Sequence, residues 1–594
     1  MNKTRFLNGL CFSVALLTPL SSFAESGFDG VFERKSLAKI DWQPCYPNEN
    51  PNLLCALYPV PLNHQKIHAG KGQNQTINIA LVKLPANNPA TKPLGSLFLN
   101  PGGPGGSGVE FVRFVGQNLF NQEVRDHYDL IGFDPRGINL SEPVSCGLSL
   151  EQAQKILPQT SFPVTAAEEA LKFESDKRLN EICKKDGNAI MDHMTTADVA
   201  RDLDLLRQAV GDKLLNYVGY SYGSYLGVTY ANMFPQNVGH LVVDGVLDPV
   251  QWSTGKGWAG WIVPVTTRLG SDKGSMATLQ EFFRLCDLAG AGGGCSFAGN
   301  SAARFDAMAQ HLKTEPMLLV FPNGSSFDLT YDVFISTALG ATYNSPSWSE
   351  FADLLAYTEA QAPSEVLGEK YSKLQIELGI EEIVTPFDNR IFSLPAVLCS
   401  DSTNPVELDF WPLWAAETER SNGYFGRSWT WTSSMCPQWP GSQKGRFTGP
   451  FNRKTKNPVL VASTLFDPAT PYSGAQAVAR LLPNSRLVTI AGWGHTTPGL
   501  SSCADKITAN YLLRGDLPPV GTICKQEVMP FLIADGIDVF AGMIQSNDKA
   551  EHPDVANFAE RASRDSAPHK SAAEDSDGKR VRKAILRSQN HGFH

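Results

Sequence analysis

The chain predicts an α/β fold: a mostly parallel sheet flanked by helices and interrupted by a large, mainly helical insertion. Three observations lead there. Short buried-type apolar runs at 94–100, 128–133, 240–246 and 458–463 are separated by turn residues and helix-like stretches. Strands that alternate with helices pair in parallel, because a parallel pair needs a long crossover connection. Between about 248 and 457 this rhythm stops, and nine of the 11 tryptophans crowd into that interval.

Taken in order, the first element reads as an export signal. Lys3 and Arg5 precede an apolar run over 10–20, and Ser22-Phe23-Ala24 supplies small residues for cleavage after Ala24. Neither that run nor any later one reaches the ~18 apolar residues a membrane span needs. Cys11 leaves with the signal, and the remaining ten cysteines suit an oxidising compartment. Their spacing suggests five local disulfides: Cys45–Cys55, Cys146–Cys183, Cys286–Cys295, Cys399–Cys436 and Cys503–Cys524. A net charge of −9 without a dense basic patch argues against a nucleic-acid partner.

Segment 25–247 reads as the first part of the sheet-bearing core. Within it 76–84 alternates as a strand, and 195–210 reads as a helix with Asp198, Asp202 and Asp204 early. Segment 248–457 is the insertion, with helical stretches such as 348–362. Its aromatic residues suit either the core of a helical unit or the lining of a pocket. Segment 458–547 completes the core with a strand, a helix near 474–482 and a strand over 486–491. The charged segment 548–594 lacks apolar content and reads as a flexible tail.

The chemistry is carried by 214–224, where an apolar strand runs into Gly219-Tyr220-Ser221-Tyr222-Gly223 and then a helix-like stretch. In this pattern the serine occupies a strained strand-to-helix turn, and the flanking glycines let the two backbones pass. A serine hydroxyl needs a base, and the base needs an acid to fix its tautomer. Asp467, in the turn after the 458–463 strand, fits the acid. His495, in the loop after the next strand, fits the base. Asp244, also at a strand end after the serine, is the alternative acid. Backbone N–H groups of Tyr222 and Gly103 fit an oxyanion hole, with Gly102 in reserve. No metal or cofactor is implied.

Gly103-Pro104-Gly105-Gly106-Ser107-Gly108 also matches the dinucleotide-binding pattern G-x-G-x-x-G, with Asp134 downstream. Pro101 and Pro104 suit a phosphate-cradling helix start poorly, and that reading leaves Ser221, Asp467 and His495 unexplained. A catalytically dead relative would lack one of the three, and none is missing.

With these residues in place, the chain resembles the α/β-hydrolases of serine peptidase family S33, the tripeptidyl aminopeptidase and proline iminopeptidase branch. The resemblance spans about 42–524. It rests on Pro101-Gly102-Gly103-Pro104-Gly105, Asp134-Pro135-Arg136-Gly137, Thr195-Thr196-Ala197-Asp198, the Ser221 turn, Asp244-Gly245, Asp467-Pro468-Ala469-Thr470-Pro471, Gly494-His495 and the closing segment 503–524. Iminopeptidases usually carry His where Pro101 stands, and Asn139 and Ser224 also depart from the family pattern. The resemblance implies an exported exopeptidase acting on free N-termini of peptides, with a carboxylesterase on small esters as the alternative. It also implies an acidic side chain from the insertion for the substrate amine: Glu281, Glu350, Asp353, Glu359 and Asp401 are available.

Overall fold

The computed structural model describes residues 39–67, 75–88, 93–320, 326–360, 390–541 and 543. The proposed export signal and the 548–594 tail lie outside the described residues.

Ten strands form one sheet: β1 (Gln43–Pro44), β2 (Leu54–Pro61), β3 (Thr76–Leu84), β4 (Gly95–Asn100), β5 (Tyr128–Phe133), β6 (Leu215–Tyr220), β7 (Val238–Asp244), β10 (Val459–Phe466), β11 (Ser485–Trp493) and β12 (Ile523–Lys525). A separate hairpin pairs β8 (Met317–Val320) with β9 (Ser326–Leu329). The spatial order of the large sheet is β1-β2-β3-β5-β4-β6-β7-β10-β11-β12. From β5 onward every neighbour is parallel, whereas β1, β2, β3 and β5 pair antiparallel. Sequence reasoning did not single out β2, which carries Pro59 and Pro61. Both prolines lie beyond Leu54 and Cys55, the two residues that pair with β1, where β2 pairs with β3 alone.

Side chains alternate between the two faces, as a two-residue period requires. On β4, β7 and β10, Phe98, Leu241, Val243, Val459 and Val461 enter one core, while Leu97, Leu99, Val242, Leu460 and Ala462 enter the other. A strand buried on both faces reads as a continuous apolar run, which is why these runs were visible in the sequence. Helices Thr196–Ala209 and Tyr222–Met233 flank the sheet beside β6. Thr195 caps the first of them by accepting the Asp198 N–H.

Between β7 and β10 lie the longer helices Ser271–Ala289, Ser301–Leu312, Tyr331–Tyr343, Trp348–Ala360, Arg390–Asp401 and Phe410–Asn422, with Phe425–Trp431. Phe282, Phe305, Phe334, Trp348 and Phe351 form a core that continues into Leu465, Phe466, Ala491 and Trp493 at the ends of β10 and β11. The tryptophans divide accordingly. Trp348, Trp411, Trp414 and Trp431 are buried structural residues, Trp252 packs 5.6 Å from the Tyr222 ring, and Trp258 and Trp261 are half exposed. All five cysteine pairs are disulfide-bonded.

The close approach of helix Gly108–Val115 to β5 depends on two glycines. A Cβ on Gly132 would lie 2.0 Å from the Gly108 carbonyl oxygen, and one on Gly108 would lie 2.2 Å from the Phe133 oxygen. Backbone is on both sides, so neither contact relaxes by a rotamer change. Gly132→Ala is expected to lower stability by about 1–3 kcal/mol, read from the denaturant midpoint at unchanged slope.

Candidate active site

Ser221 stands between β6 and helix Tyr222–Met233 with φ 55° and ψ −126°. A non-glycine residue here costs about 1–3 kcal/mol and persists only where its surroundings dictate it. Here they do. The Ser221 N–H donates to the Asp244 carbonyl at 2.9 Å, and the Ser221 carbonyl accepts from the Ser224 N–H at 2.8 Å and the Ser224 hydroxyl at 2.5 Å. A Cβ on Gly219 would meet the Gly223 oxygen at 2.2 Å, and one on Gly223 would meet the Asn100 oxygen at 2.7 Å. Both glycines of the pattern are therefore steric requirements.

The loop after β4 comes against this turn from the other side. A Cβ on Gly102 would lie 2.8 Å from Ser221 Cβ and 2.9 Å from the Tyr222 nitrogen. Gly102 and Gly103 have φ of +95° and +109°, which only glycine adopts readily. The Gly102 N–H is already given to the Asn100 side chain at 3.0 Å, so the reserve donor is engaged. Tyr222 is the first residue of its helix, where an N–H has no intrahelical acceptor.

Asp467 follows β10 and is buried; His495 follows β11, and its side chain is 10 % exposed. Both Asp467 carboxylate oxygens lie 2.9 Å from His495 Nδ1. Asp467 Oδ1 also accepts from the Ala469 and Thr470 N–H groups at 3.0 and 2.8 Å, and the Thr470 hydroxyl lies 3.4 Å from Nδ1. Burial works against charging the imidazole, but the Asp467 carboxylate outweighs it and Asp244 adds to it, so His495 titrates above its ordinary 6.5. Asp244, the alternative acid, bonds to Thr497 and makes no hydrogen bond to His495 among the described residues.

The structure thus brings Asp467 onto His495 directly, and brings Ser221 and His495 to the same dipeptide. Asp244 holds the Ser221 amide, while a Cβ on the next residue, Gly245, would lie 3.2 Å from His495 Cε1. A hydrogen bond from the Ser221 hydroxyl to the imidazole is not among those formed. Such bonds are often long until substrate seats.

Sequence reasoning missed the contacts that residues between β7 and β10 make here. The His495 N–H donates to the Tyr343 carbonyl at 2.8 Å, and the two rings meet edge to face at 5.1 Å. Asp401, one of the candidates for the substrate amine, is fully buried and accepts the Thr196 N–H at 2.8 Å and the Thr196 hydroxyl. That hydroxyl in turn takes the Tyr222 phenol proton. Burial pushes the Asp401 acid up to about 7. Nothing in the spacing of Thr196, Tyr222 and Asp401 signals this contact. The other acidic candidates also have partners: Glu281 with Arg284 and the Trp493 indole, Glu350 with Ser349, Asp353 with Ser296, and Glu359 with Arg304. Among the described residues no group of three or more His, Cys, Asp or Glu side chains could hold a metal ion.

Residues 95–264 match the model of the α/β hydrolase fold, and residues 422–524 match that of TAP-like proteins. The chain has the α/β-hydrolase fold, with a TAP-like carboxyl-terminal segment. The chain is 28% identical over 517 residues to a tripeptidyl aminopeptidase of Streptomyces coelicolor, covering 84% of the chain and 88% of the relative. It is 27% identical over 516 residues to the serine protease Hip1 of Mycobacterium tuberculosis, covering 82% and 91%. It is also 28% identical over 485 residues to carboxylesterase B of the same organism, covering 79% and 86%.

A base must be neutral to accept a proton, so the acid limb of kcat/KM is expected above about pH 6.5, on the side to which Asp467 displaces His495. Asp467→Asn removes that charge and the tautomer control. The acid limb should then move to lower pH and kcat should fall by roughly 10³–10⁴-fold, measured as a pH–rate profile.

Proposed function

We propose that this α/β-hydrolase is an exported serine exopeptidase that releases short peptides or single residues from free N-termini. The single observation that carries the reading is the Asp467–His495 pair, set against the same 244–245 turn that holds the strained Ser221 amide. In this reading Ser221 Oγ attacks the scissile carbonyl while His495 Nε2 takes the hydroxyl proton. Asp467 holds the proton on Nδ1 and stabilises the imidazolium that forms. The Gly103 and Tyr222 N–H groups receive the developing oxyanion, each worth about 3 kcal/mol of transition-state stabilisation. His495 then protonates the leaving amine, and a water molecule repeats the attack on the acyl-enzyme.

Segment 248–457 acts in this reading as a cap. Its contacts with the two machinery loops, Tyr343 on His495 and Asp401 on Tyr222 through Thr196, support that role. Segments 25–247 and 458–547 are then the two parts of the hydrolase core. Export through the 1–24 signal is supported by the five disulfides, which persist in oxidising compartments. Among the described residues no helix is long and apolar enough to cross a membrane.

The likeness to carboxylesterase B supports a second reading, an esterase with the same chemistry. A panel of free tripeptidyl amides, single-residue amides, N-blocked peptide amides and simple esters separates the two. Turnover of amides with a free N-terminus, lost on N-blocking, is the expected result; turnover of esters alone would overturn the peptidase reading. Ser221→Ala should lose at least ~10³-fold in kcat and all labelling by a fluorophosphonate, with an unchanged circular dichroism spectrum.

A further inference from the structure

Asp244 is the buried carboxyl group nearest the proposed machinery that no step above uses. It ends β7, and three of its contacts converge. Its backbone carbonyl takes the Ser221 N–H at 2.9 Å. Its side-chain Oδ2 accepts the Thr497 hydroxyl at 2.6 Å and the Thr497 N–H at 3.2 Å, two residues beyond His495. The following Gly245, at φ +60°, lies so close to the His495 loop that a Cβ there would meet Thr496 Cγ2 at 2.9 Å and His495 Cε1 at 3.2 Å.

Thr496 makes this arrangement more than the tidy end of a strand. Its φ is 69°, a left-handed conformation that a β-branched residue adopts only under constraint. The constraint comes from two carboxyl groups, one on each side. Asp467 Oδ2 accepts the Thr496 N–H at 3.4 Å, and Asp244 Oδ2 accepts both donors of Thr497. Releasing either lets the loop relax toward an ordinary φ and carries the imidazole with it.

We propose that Asp244 is a positioning residue of the reaction: its carboxyl group clamps the loop bearing His495 onto the turn bearing Ser221. The proposal rests on the reading of Ser221 and His495 as nucleophile and base. The groups that face Asp244 fit a role beyond packing. Its Oδ1 is buried with no partner among the described residues. Burial pushes the acid up to about 7; the Thr497 hydrogen bonds oppose this, Asp467 on the β10 loop adds to it, and His495 on the β11 loop reduces it. Tyr220 on β6 is the other titratable neighbour, held neutral by burial. Asp244 therefore changes charge in the range where the imidazole titrates, and its anion raises the His495 pKa.

The test is steady-state hydrolysis of p-nitrophenyl acetate by the full chain across pH 5 to 9. Asp244→Asn keeps an acceptor for Thr497 and deletes the negative charge; the acid limb of kcat/KM should move down by about 0.5–1 pH unit. Asp244→Leu deletes the acceptor, and kcat should fall about 10–100-fold with KM within about twofold. Wild-type kcat in Asp244→Leu, or a loss of kcat in Asp244→Asn as large as in Asp244→Leu, overturns the clamp. Should Asp244→Leu fail to fold, Thr497→Val removes the shorter bond alone: a several-fold loss of kcat supports the clamp and wild-type kcat overturns it. Ser221→Ala, run alongside, separates the two ideas. Retained turnover there sinks the nucleophile assignment and the clamp with it, whereas an inactive Ser221→Ala beside wild-type kcat in Asp244→Leu sinks the clamp alone.

Discussion

The architecture at the carboxyl edge of the sheet depends on how closely four backbone segments approach around Ser221. β6 delivers the residue, the loop after β4 presses Gly102 against its Cβ, β7 holds its amide through Asp244, and helix Tyr222–Met233 leaves in the remaining direction. Each contact is made by a backbone atom or a glycine, so there is no slack to distribute. Such over-determination is what allows a positive φ at a serine to persist. It also points first-turn amides of a helix at the place where negative charge would develop.

The parts of this arrangement visible in the sequence are those that leave a local trace. Gly219 and Gly223 must be glycine for steric reasons, and the apolar runs of β4, β6, β7 and β10 are continuous because both faces are buried. Asp467 and His495 were found because each sits just beyond such a run. The five cysteine pairs are near in sequence as well as in space. β2 was not singled out, and β12 escaped notice because three residues carry no period.

What the sequence concealed are contacts between segments distant along the chain. Thr196 and Asp401 are separated by 205 residues, and Asp244 and Thr497 by 253. No spacing rule links either pair. Burial turns them into structural acids, because a carboxyl group removed from water must find donors or stay protonated. Both do some of each: they accept two hydrogen bonds from a threonine, and burial holds their acids near neutrality.

The Asp401–Thr196–Tyr222 chain has a consequence for how the enzyme could be cut down or recombined. The helices between β7 and β10 are not an accessory laid over a self-sufficient sheet, because Asp401 completes the hydrogen bonding of the buried helix terminus at Thr196. Excising 248–457 would leave the Thr196 amide and hydroxyl facing a void, beside Tyr222. Grafting a foreign lid onto this scaffold would have to import an equivalent acceptor at that spot.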